Sequence, residues 1–214
     1  MLNHAELKDR QRREREHYPD NLSLRVHRAL SWLARSEQCE DSDGQFIFLW
    51  IAFNAAYANE TGDIRIAEAH RLQQFLERLV SLDGDARLDL LVWDHYSSSI
   101  RVLLENQYVF QPFWNHQNKL EGSDDWEAQF KKARQAANRA LANRETSTVL
   151  SIVFTRLYTL RNQLIHGGAT WNSQINRDQL RDSSRLLGEL VPTIIEIMMD
   201  SAQEHWGEAC YPVA

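Results

Sequence analysis

Residues 146–168, TSTVLSIVFTRLYTLRNQLIHGG, decide the fold. Their Val, Ile, Thr, Phe and Tyr would suit a β-strand as well as a helix. Spacing separates the two. Val149, Val153, Leu157, Leu160 and Leu164 step by four, four, three and four, the 3.6-residue period of a helix with one buried face; a half-buried strand would alternate. Gly167-Gly168 then supplies a C-terminal stop, because glycine takes up the left-handed conformation of a helix end without a Cβ penalty. The stretch predicts a helix whose last turn carries polar residues.

The flanking sequence repeats this pattern. Leu22, Val26, Ala29, Leu30 and Leu33 trace an amphipathic helix with Asn21 as its expected N-cap, broken by Asp41-Ser42-Asp43-Gly44. Phe46 to Ala58 is apolar on most sides, which predicts a central helix touching several neighbours, with Asn54 as its odd residue and Asn59–Asp63 as its stop. A helix over about 177–199 places Leu180, Leu187, Val191, Ile194 and Met198 inward, and Pro192 is expected to kink or divide it. Residues 64–145 read as further helix with irregular links. Ile66 to Leu79 is one helix, Leu88–Trp93 starts another, and Gln107–Gly122 is loop or short helices. Asp124 with Glu127 resembles a capping box opening a helix to about Asn143. Residues 1–20, almost without apolar side chains, read as a polar N-terminal arm or frayed helix, and 21–214 as a single helical domain.

Composition sets outer bounds. Apolar residues make up 43% and charged residues 25% of 214 residues, enough for one real core. A net charge of −6 leaves no global field for nucleic acid, so such contact requires a local patch. Cys39 and Cys210 have no paired spacing, and neither a disulfide framework nor a zinc site is expected. No apolar run approaches a membrane span, and residues 1–20 lack the apolar core of a signal peptide. The chain reads as cytoplasmic.

Three Arg/His pairs share one spacing: Arg12 with His17, Arg65 with His70, and Arg161 with His166. Only the third ends a strongly apolar helix, precedes Gly-Gly and encloses Asn162. Asn162 and His166, four apart, share a helical face with Tyr158 a turn earlier. The set supplies a titratable imidazole, a permanently charged fork matched to phosphate, and an amide to hold one of them. Against this stands a plain reading in which Arg and His merely suit the negative end of a helix.

The string Leu160–Gly167 resembles the Arg-x4-6-His motif of HEPN proteins, including the Asn that often follows the Arg, and Trp50–Tyr57 is similar to the aromatic, Asn-containing second helix of that family. The resemblance covers about 21–39, 45–60, 146–167 and 176–202. It implies an all-α, HEPN-like antiparallel four-helix bundle, with about 64–145 a mostly helical insertion between core helices 2 and 3. It further implies a metal-independent endoribonuclease without cofactors, of the toxin or phage-defence kind, acting as a homodimer on RNA. His166 would be the general acid/base, Arg161 would neutralise charge on the phosphoryl group, and Asn162 would orient one of them. Asn54 and Tyr158 would be supporting residues. A non-catalytic HEPN module that binds RNA or a partner protein is the alternative. An antitoxin or nucleotidyltransferase is a further partner the family suggests. In one toxin subgroup a Tyr two positions after the motif His is adenylylated; Gly168 stands there and departs from that pattern.

Two other features bear on RNA. Lys131, Lys132, Arg134, Arg139 and Arg144 have no acidic residue among them, so they would either track a phosphate backbone or form a solvated face near a helix C-terminus. Tyr108, Phe110, Phe113, Trp114 and His116 would either stack on bases or pack the 64–145 segment onto the bundle. No metal-ligand spacing and no phosphate-cradling glycine loop is present.

Overall fold

The helix on which the sequence reading turns runs from Thr146 to Ile165 in a computed structural model that describes residues 3–58, 65–174 and 176–209, excepting the side chains of 65–68. In chain order the helices are α1 His4–Glu14, α2 Asp20–Glu37, α3 Ser42–Tyr57, α4 Arg65–Leu82, α5 Arg87–Leu90, α6 Ser97–Glu105, α7 Gln111–Gln117, α8 Trp126–Ala142, α9 Thr146–Ile165 and α10 Arg177–Asp200. The described residues hold no β-strand, so the protein is all-α. No helix among them is long and apolar enough to cross a membrane.

In α9 four of the five predicted stripe positions, Val149, Val153, Leu157 and Leu160, are buried together with Leu150 and Phe154, and Leu164 packs half-buried against the core. The stop works through hydrogen bonds. Gly167, at φ 69°, donates its N–H to the Leu164 carbonyl at 3.3 Å, and the Ala169 N–H reaches the Gln163 carbonyl at 3.2 Å. Both carbonyls belong to the last turn, where no intrahelical donor remains. Gly168 is confined differently, since a Cβ there would lie 3.2 Å from the Gln163 carbonyl oxygen. The close backbone approach explains why this position carries no side chain.

Helix α3 meets α9 through rings. Phe53 stacks on Phe154 with centroids 4.1 Å apart, and Trp50 lies against both Phe154 and Tyr158. Its other sides pack on α2 and α10, as expected of a helix that is apolar all round. Asp41, expected only to end the preceding pattern, is the N-cap of α3: its carboxylate accepts the Gly44 N–H at 2.8 Å. The expected stop at Asn59–Asp63 lies outside the described residues. Helix α2 begins one residue ahead of Asn21, with Pro19 in the cap position. Pro192 does not divide α10, which runs unbroken through it. Leu187, Leu190, Val191 and Ile194 around it are fully buried, and that packing compensates for the missing backbone donor.

Two further differences have physical causes. Residues 4–14 form a docked helix, with the Asn3 and Glu6 side chains completing a reciprocal capping box. Leu7 is fully buried against the core, and Arg10 reaches Asp200 of α10 at 2.7 Å. Asp200 also takes Arg87 at 2.7 Å, so one carboxylate ties together α1, α5 and α10. For α8, the N-cap is Asp125 without a side-chain cap bond; Asp124 faces His116 at 3.6 Å, and the expected capping box with Glu127 does not form.

The described part of the 64–145 segment, 65–145, is mostly helical and well anchored. Helix α4 packs along α9, with α6 and α8 also against it. The aromatic cluster packs the turn at Tyr108–Phe110 and α7 against α8. Phe113 meets Tyr108, Trp114 and Trp126 edge-on, and Phe110 lies against Phe130 of α8. Under them is Arg156 of α9, buried, with its guanidinium 4.4 Å from the Phe110 centroid and 5.6 Å from that of Phe130. Burial pushes this guanidinium down to about 10, and the Glu105 charge only partly offsets that.

Candidate functional site at the end of α9

The final turn of α9 brings three of the predicted residues within reach of one another along the chain but sends them to different surroundings. Arg161 and Asn162 are neighbours, about 100° apart round the helix. The long Arg side chain crosses that angle and donates from Nη1 to Asn162 Oδ1 at 2.9 Å. Arg161 Nε is buried with no partner among the described residues. Asn162 takes only one of the terminal N–H groups, and Arg161 as a whole is half-buried, so the remaining terminal N–H groups are left for a further acceptor.

His166 occupies the C-cap of α9, exposed, with its backbone N–H on the Asn162 carbonyl at 3.0 Å. Among the described residues its imidazole has no hydrogen-bond partner. Asn162 and His166 both line a cavity of about 530 Å³, between the end of α9, residues 168–173, Asn176, α7 and the start of α10. Arg161 is not on its wall. Asn162 therefore stands between the cation and the cavity, its carbonyl committed to Arg161 and its amino group open.

Sequence reasoning did not assemble the rest of this cavity, which Asp43 of α3 and Arg177 of α10 line as an ion pair at 2.9 Å. Trp114, Gln111 and Asn118 of α7 and its end contribute another wall. The connection to α9 is direct: the Tyr108 carbonyl accepts from the Trp114 indole at 2.7 Å and from Gln163 Nε2 at 2.6 Å. Trp114 was visible in the sequence as part of an aromatic cluster; that its ring stands beside the Arg-x4-His turn was not.

The remaining candidates lie elsewhere. Asn54 and Tyr158 border a smaller pocket of about 150 Å³ between α3, α9 and α4, lined by Trp50, Phe53, Tyr57 and Phe154. They belong to that aromatic pocket and do not line the cavity that Asn162 and His166 share. Lys131, Lys132 and Arg139 are exposed on α8. Arg134 pairs with Glu105 and lies over Phe130, so it serves packing within the α6–α8 region. Arg144 caps the Trp93 ring at 4.9 Å. Among the described residues no three His, Cys, Asp or Glu side chains gather as a metal site.

Comparisons with known protein families, with curated proteins and with solved structures give no match to this chain. The functional reading stands on the residues themselves.

Proposed function

We propose that this protein is an endoribonuclease of the HEPN kind, metal-independent, built on an antiparallel core of α2, α3, α9 and α10 with α4–α8 as an elaboration. The observation that carries the reading is the Arg161–Asn162 clamp at the end of α9, next to a cavity bordered by His166. A phosphodiester supplies acceptor oxygens for the terminal N–H groups of Arg161 that Asn162 leaves unused. In the reaction, His166 takes the proton of a ribose 2′-hydroxyl or delivers one to the leaving 5′-oxygen. The 2′-oxygen bonds to phosphorus and the P–O5′ bond breaks, leaving a 2′,3′-cyclic phosphate and a 5′-hydroxyl. Arg161 offsets the charge that builds on the phosphoryl oxygens.

One imidazole cannot be base and acid in a single step, and a second copy of the chain would supply the other. Tyr158, Ile165 and Trp171, at 38, 47 and 76% exposure, give the surface around the Arg-x4-His turn the apolar groups a homodimer would cover. In the toxin or phage-defence setting that the family resemblance suggests, an antitoxin would occupy this same face.

The test is the chemistry of the ends. Purified protein incubated with single-stranded RNA in EDTA should yield fragments with 2′,3′-cyclic phosphate termini and leave DNA uncut. Intact RNA under these conditions, with binding retained, would instead identify a non-catalytic RNA- or protein-binding module.

A further inference from the structure

The 530 Å³ cavity beside His166 is the wrong place for a phosphate. Its fixed charges, Asp43 and Arg177, neutralise each other at 2.9 Å, and the free cation of the turn, Arg161, lies outside its wall. Its size falls within the roughly 300–1,000 Å³ of pockets that enclose small organic groups. What it offers is one aromatic face and several amides. The Trp114 ring is fixed on two sides, by its indole N–H on Tyr108 and by the Phe113 ring at 5.2 Å and 84°. The Gln111 amide spends its amino group on Asn115 at 3.0 Å and keeps its carbonyl open. The side-chain amide of Asn118 and the amino group of Asn162 have no partners among the described residues.

We infer that this cavity takes an unpaired nucleobase, stacked against Trp114 and read along its edge by Gln111, Asn118 and Asn162. The inference rests on the ribonuclease reading for its orientation: the base enters the neutral cavity while the adjoining phosphate meets Arg161. Asn162 is the hinge between the two, since its carbonyl holds the cation and its amino group faces the base. A duplex cannot offer a base this way without unpairing, so the site selects single-stranded or looped RNA. The shared Tyr108 carbonyl couples the two halves, because Gln163 of the Arg-x4-His turn and Trp114 of the stacking wall are fixed to the same atom.

The experiment is titration of the four ribonucleosides into the wild-type protein by calorimetry, with ribose 5-phosphate and inorganic phosphate as probes lacking a base. Saturable binding of at least one nucleoside is expected, with ribose 5-phosphate weaker. Loss of one stacked base contact in Trp114→Ala should weaken binding about 5- to 150-fold, and Trp114→Phe should recover part of it. Gln111→Ala with Asn118→Ala should level the differences between bases, and these surface variants decide the matter if Trp114→Ala fails to fold. Nucleosides that bind no better than ribose 5-phosphate, or a folded Trp114→Ala that binds as wild type does, would overturn the inference. The readout needs no cleavage. A chain that binds nucleosides through Trp114 yet cuts no RNA keeps the base site and loses the ribonuclease; one that cuts RNA with no base preference and no nucleoside binding loses the base site alone.

Discussion

Arg161 Nη1 donates to Asn162 Oδ1 at 2.9 Å, although adjacent residues on a helix do not face each other. The contact uses the reach of the guanidinium to turn it towards the amide, while Arg161 Nε stays buried without a partner among the described residues.

Cutting that clamp should lower activity before it lowers stability. In Asn162→Ala the guanidinium keeps its charge but loses its orientation, and a cleavage loss of about 10- to 100-fold is expected from misplacement alone. The lost bond is partly buried and charge-assisted, so unfolding free energy should drop by about 1.5 kcal/mol. Cleavage rates and urea melts on the same preparation check both numbers. Asn162→Asp separates charge from orientation: a carboxylate would hold Arg161 but neutralise it, and should depress cleavage further while the fold is retained.

Helix α1 should prove part of the core. Leu7→Ala removes a fully buried side chain at the contact of α1 with the bundle, and about 2–5 kcal/mol of stability should go with it. An arm merely resting in solvent would show almost no change in chemical denaturation.

How far the sequence reveals this fold can be judged from α9 and α1 together. Helix α9 was legible because its five apolar positions lie on one stripe, and local spacing reports burial whatever the neighbours are. Helix α1 was hidden because its burial depends on few residues and distant partners. Leu7 is its one buried apolar side chain, Gln11 is buried as an amide, and Arg10 finds Asp200 190 residues away. The Arg-x4-His turn was readable as a local string, whereas the cavity beside it draws on residues near 43, 111–118, 159–170 and 173–180, whose meeting no local pattern announces.

Acid should loosen the junction at Asp200. Burial alone would raise its carboxyl, but Arg87 and then Arg10 outweigh this and hold it below the usual carboxylate value of 3.8. For Glu14, burial is likewise outweighed, by the Tyr18 hydroxyl and Arg10, and its carboxyl is held below 4.5. A carboxyl depressed in the folded state contributes stability that is whole above its unfolded value and is lost as pH falls through the folded one. Thermal melts should thus be level above about pH 5 and decline below it. Asp200→Asn should be less stable than wild type near neutrality, with a shallower decline in acid.

Arg156 offers a test of packing against charge. It lies between Phe110 and Phe130 with Nε unsatisfied, and burial pushes its guanidinium down to about 10. Arg156→Met keeps a long apolar stem in that space and should leave stability within about 1 kcal/mol of wild type or above it. Arg156→Ala empties the space and should cost about 2 kcal/mol or more. If Met is as damaging as Ala, the charge over the rings matters more than the filling of volume.

The central claim is that Arg161 and His166 do chemistry, and the rate of RNA cleavage in five proteins tests it most directly. Wild type is compared with Arg161→Ala, His166→Ala, His17→Ala and His70→Ala on one single-stranded RNA in EDTA. The two control histidines share the Arg-x4-His spacing and are exposed. His166→Ala should lose about 10²–10⁴-fold in rate, Arg161→Ala should fall comparably, and both controls should match wild type. Equal cleavage by all five proteins would contradict the account and leave Arg161 and His166 as structural residues of a helix end.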